Sequence, residues 1–284
     1  MTRPAWAPEP IDIDQPSAAR IYDYLLGGAH NFAADRAFAA RMLEIYPEAP
    51  QEALSNRGFL RRAVEYCVDA GIRQFLDLGS GIPTVGNVHE VAQRAARKIN
   101  ATPKVVYVDL DPVAVTHSES LLADEPNVTA LLADMRDPEA VLEGAAELLD
   151  LSEPVALLMV GVLHFVSDDD DPAGIIRGYA KRLVPGSHLV ISHMTSDTNP
   201  LMARRLVQLS KALSMSGTFR TRDEIRALFG GFTLIEPGLV PVAMWRPDSP
   251  FDPRNDPESS WLYAGVGRKE EPDQSAAESE AARR

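Results

Sequence analysis

The sequence predicts an α/β fold, a mostly parallel sheet with helices on both faces and a helical cap ahead of it. Three observations carry this. Strand-length apolar runs alternate with helix-length segments from residue 74 to residue 193, the pattern of strand–helix–strand units joined by right-handed crossovers. The first run, Phe75-Leu76-Asp77-Leu78, leads into Gly79-Ser80-Gly81, a tight turn of the kind that holds a nucleotide-like ligand against a strand end. Acids then follow the next two runs, at Asp109 and Asp134, the edge where open parallel sheets bind ligands.

The elements follow in chain order. Residues 1–16 are proline-rich, acidic and aperiodic, and read as an extended arm without a signal-peptide core. Ser17 is placed to cap a helix through Leu26, with Ile21, Tyr24 and Leu25 on one face, ended by Gly27-Gly28. Asn31 to Tyr46 and Pro50 to Ala70 read as two more helices, so residues 17–71 form the cap. The core is expected over residues 72–268, with strands at 74–78, 105–109, 128–132, 155–160 and 188–193. Helices are expected at 87–98, 112–123, 138–150 and 172–184, then at Pro200–Leu213 and Arg222–Phe229. Residues 232–235 and 261–266 read as the last strands, and the five prolines between them mark a long loop. Residues 269–284 are charged and rich in Ala and Ser, and are expected to be a disordered tail.

Composition narrows the function. The 284 residues carry a net charge of −13, which argues against nonspecific binding to nucleic acid or to an anionic membrane. The single cysteine, Cys67, excludes an internal disulfide framework and a cysteine-based zinc site. No apolar run approaches the roughly 18 residues of a spanning helix, so a cytoplasmic location is expected. The run Asp168 to Asp171 reads as a solvated helix start with acids at the positive dipole end, not as a metal site.

Three acids at one sheet edge suit a ligand with an amino group, a ribose diol and an adenine amine. Asp-Leu-Gly-Ser-Gly at 77–81, followed by acids after the second and third strands, resembles the class I S-adenosylmethionine (SAM)-dependent methyltransferases. Pro16-Ser17-Ala18-Ala19-Arg20-Ile21-Tyr22-Asp23-Tyr24-Leu25-Leu26-Gly27-Gly28, with Asn31-Phe32 and Asp35-Arg36, is similar to the signature of one bacterial branch, formerly catalogued as a domain of unknown function. Asn56-Arg57, Phe59-Leu60-Arg61-Arg62-Ala63 and Gln74 to Thr84 resemble its next blocks. The resemblance implies a Rossmann-like, seven-stranded fold, with SAM as cofactor and S-adenosylhomocysteine (SAH) as product. It implies no substrate.

It also implies roles. Gly79, Ser80 and Gly81 would let the backbone approach the methionine part of SAM, with Asp77 orienting the turn or meeting the ammonium. Asp109, followed by Leu110, takes the place of the acid on the ribose hydroxyls. Asp111 is read instead as the cap of the helix at Pro112. Asp134 would accept from the adenine amine and the Met135 amide would serve a ring nitrogen. Gly161 and His164, in Gly161-Val162-Leu163-His164-Phe165, resemble the segment beside the sulfonium. The N-terminal helical region with its polar groups Arg20, Tyr22, Asp23, Asn31 and Arg57 is expected to fold over the cofactor as a lid, the alternative being that Arg20 and Asp23 pair on a helix surface. His164, His193 and Tyr22 are the candidate bases.

No Asn/Asp-Pro-Pro-aromatic motif of amino-methylating nucleic-acid enzymes is present. With the acidic charge, this favours a small molecule or a protein side chain as acceptor, a small molecule foremost. One rival reading is a noncatalytic SAM-binding or regulatory protein. Another is an NAD(P)-dependent oxidoreductase, which would need a third glycine where Thr84 stands.

Overall fold

Alternation of apolar runs and helices produces a single twisted sheet. The structure, a computed structural model, describes residues 11–84, 86–212, 217–249 and 260–271. Three helices come first, α1 (Ala18–Leu25), α2 (Ala33–Ile45) and α3 (Ala49–Asp69). The alternating part then runs β1 (Gln74–Leu78), α4 (Val88–Ala96), β2 (Lys104–Asp109), α5 (Pro112–Leu121), β3 (Val128–Leu132), α6 (Pro138–Ala145), β4 (Val155–Val160), α7 (Pro172–Arg182) and β5 (His188–Met194). Helices α8 (Pro200–Ala212) and α9 (Arg222–Ala227) follow, then β6 (Thr233–Leu234), β7 (Val240–Pro241) and β8 (Leu262–Arg268).

The strand order is β3-β2-β1-β4-β5-β8-β6. β1 to β5 are parallel, whereas β8 runs antiparallel to β5 with His188 opposite Arg268. The order reverses between β1 and β4, the switch point where a ligand crevice forms outside the strand ends.

The described residues hold eight strands, not the expected seven. The extra one is β7, which pairs Val240 with Ala264 and Pro241 with Tyr263 inside the segment read as a proline-rich loop. A two-residue strand has no periodicity to read, and proline is tolerated there because β7 lies at a sheet margin. Helix α6 also stops short of residue 150. The Asp150 backbone is held by the Gln74 side chain, with N–H to Oε1 at 2.6 Å and Nε2 to the carbonyl at 2.7 Å, so the chain must leave the helix to reach β1. The expected arm lies outside the described residues except for 11–16, and the expected tail except for 269–271.

The central strands are buried on both faces, which is why they read as continuous apolar runs. Alternate residues feed two cores. Leu76, Leu78, Val106, Leu157 and Ile191 face α6 and α7. Phe75, Val105, Leu158 and Val190 face α3 and α4. α3 therefore lies on the sheet itself, with Phe59, Ala63, Val64 and Cys67 fully buried. Burial pushes the Cys67 thiol up to about 12, as expected of a packed cysteine.

Helix α8 packs against the N-terminal helices. Leu206 and Ala203 join Tyr46, Ala49 and Trp261, and Leu209 meets Ile21 and Phe38. Leu213, the expected end of this helix, lies outside the described residues. Among the described residues, no helix is long and apolar enough to cross a membrane, and no cluster of His, Cys, Asp and Glu is arranged to hold a metal.

Candidate functional site

The turn after β1 forms because two glycines adopt the left-handed region. Gly79 and Gly81 both have φ +68°, strained for any residue with a β-carbon. The Gly79 and Ser80 N–H groups donate to the Val108 carbonyl, at 2.8 and 3.1 Å, which ties the turn to the end of β2. A β-carbon on Gly79 would fall 2.3 Å from Val162, whereas one on Gly81 would meet open space. The backbone at Gly81 is thus free to be approached.

Asp109 holds this turn from the neighbouring strand. One of its oxygens accepts from the Gly81 N–H at 2.8 Å, and the other accepts from the Asp111 N–H at 2.8 Å. Burial raises its pKa, and these backbone bonds oppose the shift. Asp111 caps α5 as expected, accepting from Val113 N–H at 2.8 Å. Leu110, between them, is 62% exposed.

Asp77 is the unusual group. It is only 6% exposed, and its carboxylate makes no hydrogen bond to any described residue. Burial pushes its carboxyl up to about 7, with the Arg57 charge opposing and Asp109 reinforcing. Arg57 lines the same small cavity behind the turn and donates to the Gly86 carbonyl at 2.9 Å.

Asp134 is half-exposed and paired with Arg136, whose Nη2 lies 2.6 Å from Oδ2. That pairing holds its carboxyl below the usual range. Met135 is buried and its carbonyl accepts from the Tyr179 hydroxyl at 2.8 Å, while its N–H donates to no described group.

A family profile described as S-adenosyl methyltransferase matches residues 4–270. The chain belongs to this family. A candidate methyltransferase from Thermobifida fusca YX is 42% identical over 94% of this chain and 100% of its own, with a TM-score of 0.87. A DUF574-family protein from Streptomyces avermitilis MA-4680 is 39% identical over 91% and 100%, with a TM-score of 0.85. No curated protein matches the sequence. The family fixes the class I methyltransferase fold, SAM as the cofactor and the enzyme class of SAM-dependent methyltransferase. The oxidoreductase suggested by the glycine turn is thereby set aside.

Several expected site residues of this methyltransferase are engaged elsewhere. Arg20 is 3% exposed; it pairs with Asp35 at 3.1 Å, donates to the Gln15 carbonyl and stacks over Phe32. It does not pair with Asp23, whose carboxylate accepts from the His30 N–H and the Asn31 side chain, each at 2.9 Å. Asn31 also donates to the Gly28 carbonyl at 3.0 Å. Arg20 and Asn31 therefore brace the N-terminal helices, because their polar atoms are already satisfied there. Ser17 does not cap α1; its hydroxyl donates to Asp111, joining the first helix to the loop after β2.

The candidate bases also separate. His193 has both ring nitrogens committed, Nδ1 to the Met194 carbonyl at 2.7 Å and Nε2 to Arg220 at 2.8 Å. Burial, then the Arg220 charge, pushes it down to about 4. The Tyr22 hydroxyl donates to the Ala53 carbonyl and accepts from Asn56, both at 3.1 Å, and burial raises its pKa. His193 thus has no free ring nitrogen, and the Tyr22 hydroxyl proton is already committed to the Ala53 carbonyl. His164 differs: its Nδ1 is buried without a partner, and burial holds the ring well below its ordinary pKa, so it is neutral.

Two organising residues escaped the sequence reading. Asn56 bridges three elements, through Tyr22, the Ser192 hydroxyl at 2.6 Å, and contact with Gly161. Arg220 is 4% exposed and donates to the Leu163 and Val166 carbonyls, to Asp168 at 2.6 Å and to His193. Its distance in sequence from all four hides it. The acid run otherwise behaves as expected: Asp171 caps α7 through the Gly174 N–H at 2.9 Å.

Proposed function

We propose that this enzyme holds SAM across the ends of β1, β2 and β3 and methylates a small molecule that approaches from the β4–β5 side. The observation that supports the cofactor's placement best is Asp77, a buried carboxylate without a hydrogen bond beside an open glycine backbone. An unpartnered buried acid is costly, and a ligand ammonium would relieve it. When bound, SAM supplies a methyl group already activated on a sulfonium.

The chain's own residues then have separable tasks. Asp109 keeps lone pairs for two vicinal hydroxyls while its backbone bonds fix the carboxylate. Asp134 retains accepting capacity for an amine beside Arg136, and the free Met135 N–H suits an aromatic ring nitrogen. Gly161 and the neutral His164 border the acceptor side. Alignment of the acceptor and exclusion of water supply most of the rate in an in-line transfer. The net charge of −13 supports a small molecule over nucleic acid.

The test is thermal unfolding with saturating SAM, SAH or NAD. A ligand at about 100 times its dissociation constant stabilises by about 2.7 kcal/mol, which for this size raises the midpoint by roughly 5–10 °C. Shifts with SAM and SAH but not NAD are expected. If D77N shifts as much as the parent protein, the placement of SAM against Asp77 is wrong.

A further inference from the structure

We propose that the cleft between α3, α8 and the start of β8 is the acceptor pocket, and that it recognises the acceptor through a protonated amine. The inference rests on the methyl-transfer reading above and names the class of substrate for it.

The cleft has a volume of about 460 Å³, within the range of small-molecule sites. Its place is set by α3. Glu52 lines it, and Asn56, against Gly161 and Ser192 at the ends of β4 and β5, lies four residues further along. That is one helical turn, about 6 Å along the axis and on the same face. The opposite wall comes from Met202 on α8 and from Trp261, which precedes β8.

The lining is selective in charge. Glu48 and Glu52 contribute carboxylates, and among the described residues no lysine or arginine lines the cleft. Neither acid forms an ion pair among the described residues. One Glu52 oxygen accepts from the Trp261 N–H at 3.1 Å; the other is buried with no hydrogen-bond partner. Tyr46 is 3% exposed, and its hydroxyl likewise has no partner. Its ring lies against Trp261, with centroids 4.7 Å apart.

Two carboxylates without an ion-pair partner among the described residues and an aromatic wall together match an organic cation. An ammonium brings several N–H donors to the Glu48 and Glu52 carboxylates that line the cleft, and aromatic faces attract the charge. An anionic substrate would face two acids with no counter-charge. The ammonium is the recognition handle, since a protonated nitrogen has no lone pair to take a methyl group; the accepting atom lies elsewhere on the molecule.

Isothermal titration of the full chain with 2-phenylethylamine at pH 7.5 tests this, with 2-phenylethanol and phenylacetate as the neutral and anionic counterparts. The amine should bind at least about tenfold more tightly than either, and Glu52→Gln should remove that preference. Met202→Lys, which adds a cation to the wall, should abolish amine binding even if the Glu52 variant fails to fold. Equal binding of the amine and the alcohol, or undiminished amine binding by Met202→Lys, would overturn the proposal. SAH is titrated in parallel. SAH binding without amine selectivity sinks this inference alone, whereas absence of SAH binding to the parent chain sinks the methyl-transfer site itself.

Discussion

The Asn56 side chain closes onto Gly161. A β-carbon at Gly161 would lie 2.9 Å from Asn56 Nδ2, and the glycine itself has φ +72°. The contact lets α3 seat on the end of β4 while Asn56 also reaches Tyr22 and Ser192. Gly161→Ala therefore adds backbone strain and displaces a hydrogen-bonded side chain. A loss of about 2 kcal/mol is expected, read as a lowered midpoint in denaturant titration, with weakened SAH binding.

Asp77 makes stability depend on pH. Its folded-state pKa, pushed up to about 7 by burial, lies above that of an unfolded carboxyl. The folded chain thus binds the extra proton between about pH 4 and pH 7, so stability falls as pH rises through that window. Asp77→Asn should flatten this part of the profile and raise the melting temperature of the unliganded protein at pH 8. It should also weaken SAH by about 10- to 100-fold, the value of a hydrogen bond to a charged partner. SAH affinity in the parent protein should rise with pH through 7, because only the ionised carboxylate pairs with an ammonium.

Tyr22 is a brace in this geometry. Tyr22→Phe removes one donor and one acceptor, at a cost of about 1 kcal/mol in stability, and should leave the pH profile of turnover unchanged. A loss of about 100-fold in kcat at unchanged stability would instead identify a general base.

Arg220 joins the loop after β4 to the end of β5 through Leu163, Val166, Asp168 and His193. Arg220→Ala leaves the Val166 carbonyl and an imidazole nitrogen unsatisfied, while the Leu163 carbonyl keeps only the Val166 N–H. A loss of about 3 kcal/mol is expected, lowering the melting temperature by about 6–10 °C. Hydrogen exchange should quicken in residues 161–166.

The alternating fold was legible because strands buried on both faces need unbroken apolar runs, and helices between them need a different period. The glycine turn was legible for a local reason too: residues 79 and 81 need backbone conformations that glycine alone adopts cheaply. Asp111 as a cap, and the acid run as a helix start, follow from rules that act within three or four residues.

What failed was the assignment of polar partners. Arg20 and Asp23 have the spacing of a helix pair, yet Arg20 pairs with Asp35 and Asp23 holds the loop around Asn31. His193 stands at a strand end like a catalytic base, but Arg220 occupies its lone pair. Strand β7 exists because β8 offers it an edge, not because Val240-Pro241 prefers extended pairing.

The sequence by itself determined the element order, the parallel core and the glycine turn with its three acids, since each depends on periodicity or on one residue's backbone freedom. Tertiary structure alone decided which acid stays unpartnered, which histidine keeps a free nitrogen and where the acidic aromatic cleft opens. Those properties depend on groups brought together from a few tens of residues apart around Asp77 and His193, and from about two hundred apart in the cleft, and burial, not composition, sets their charge and reactivity.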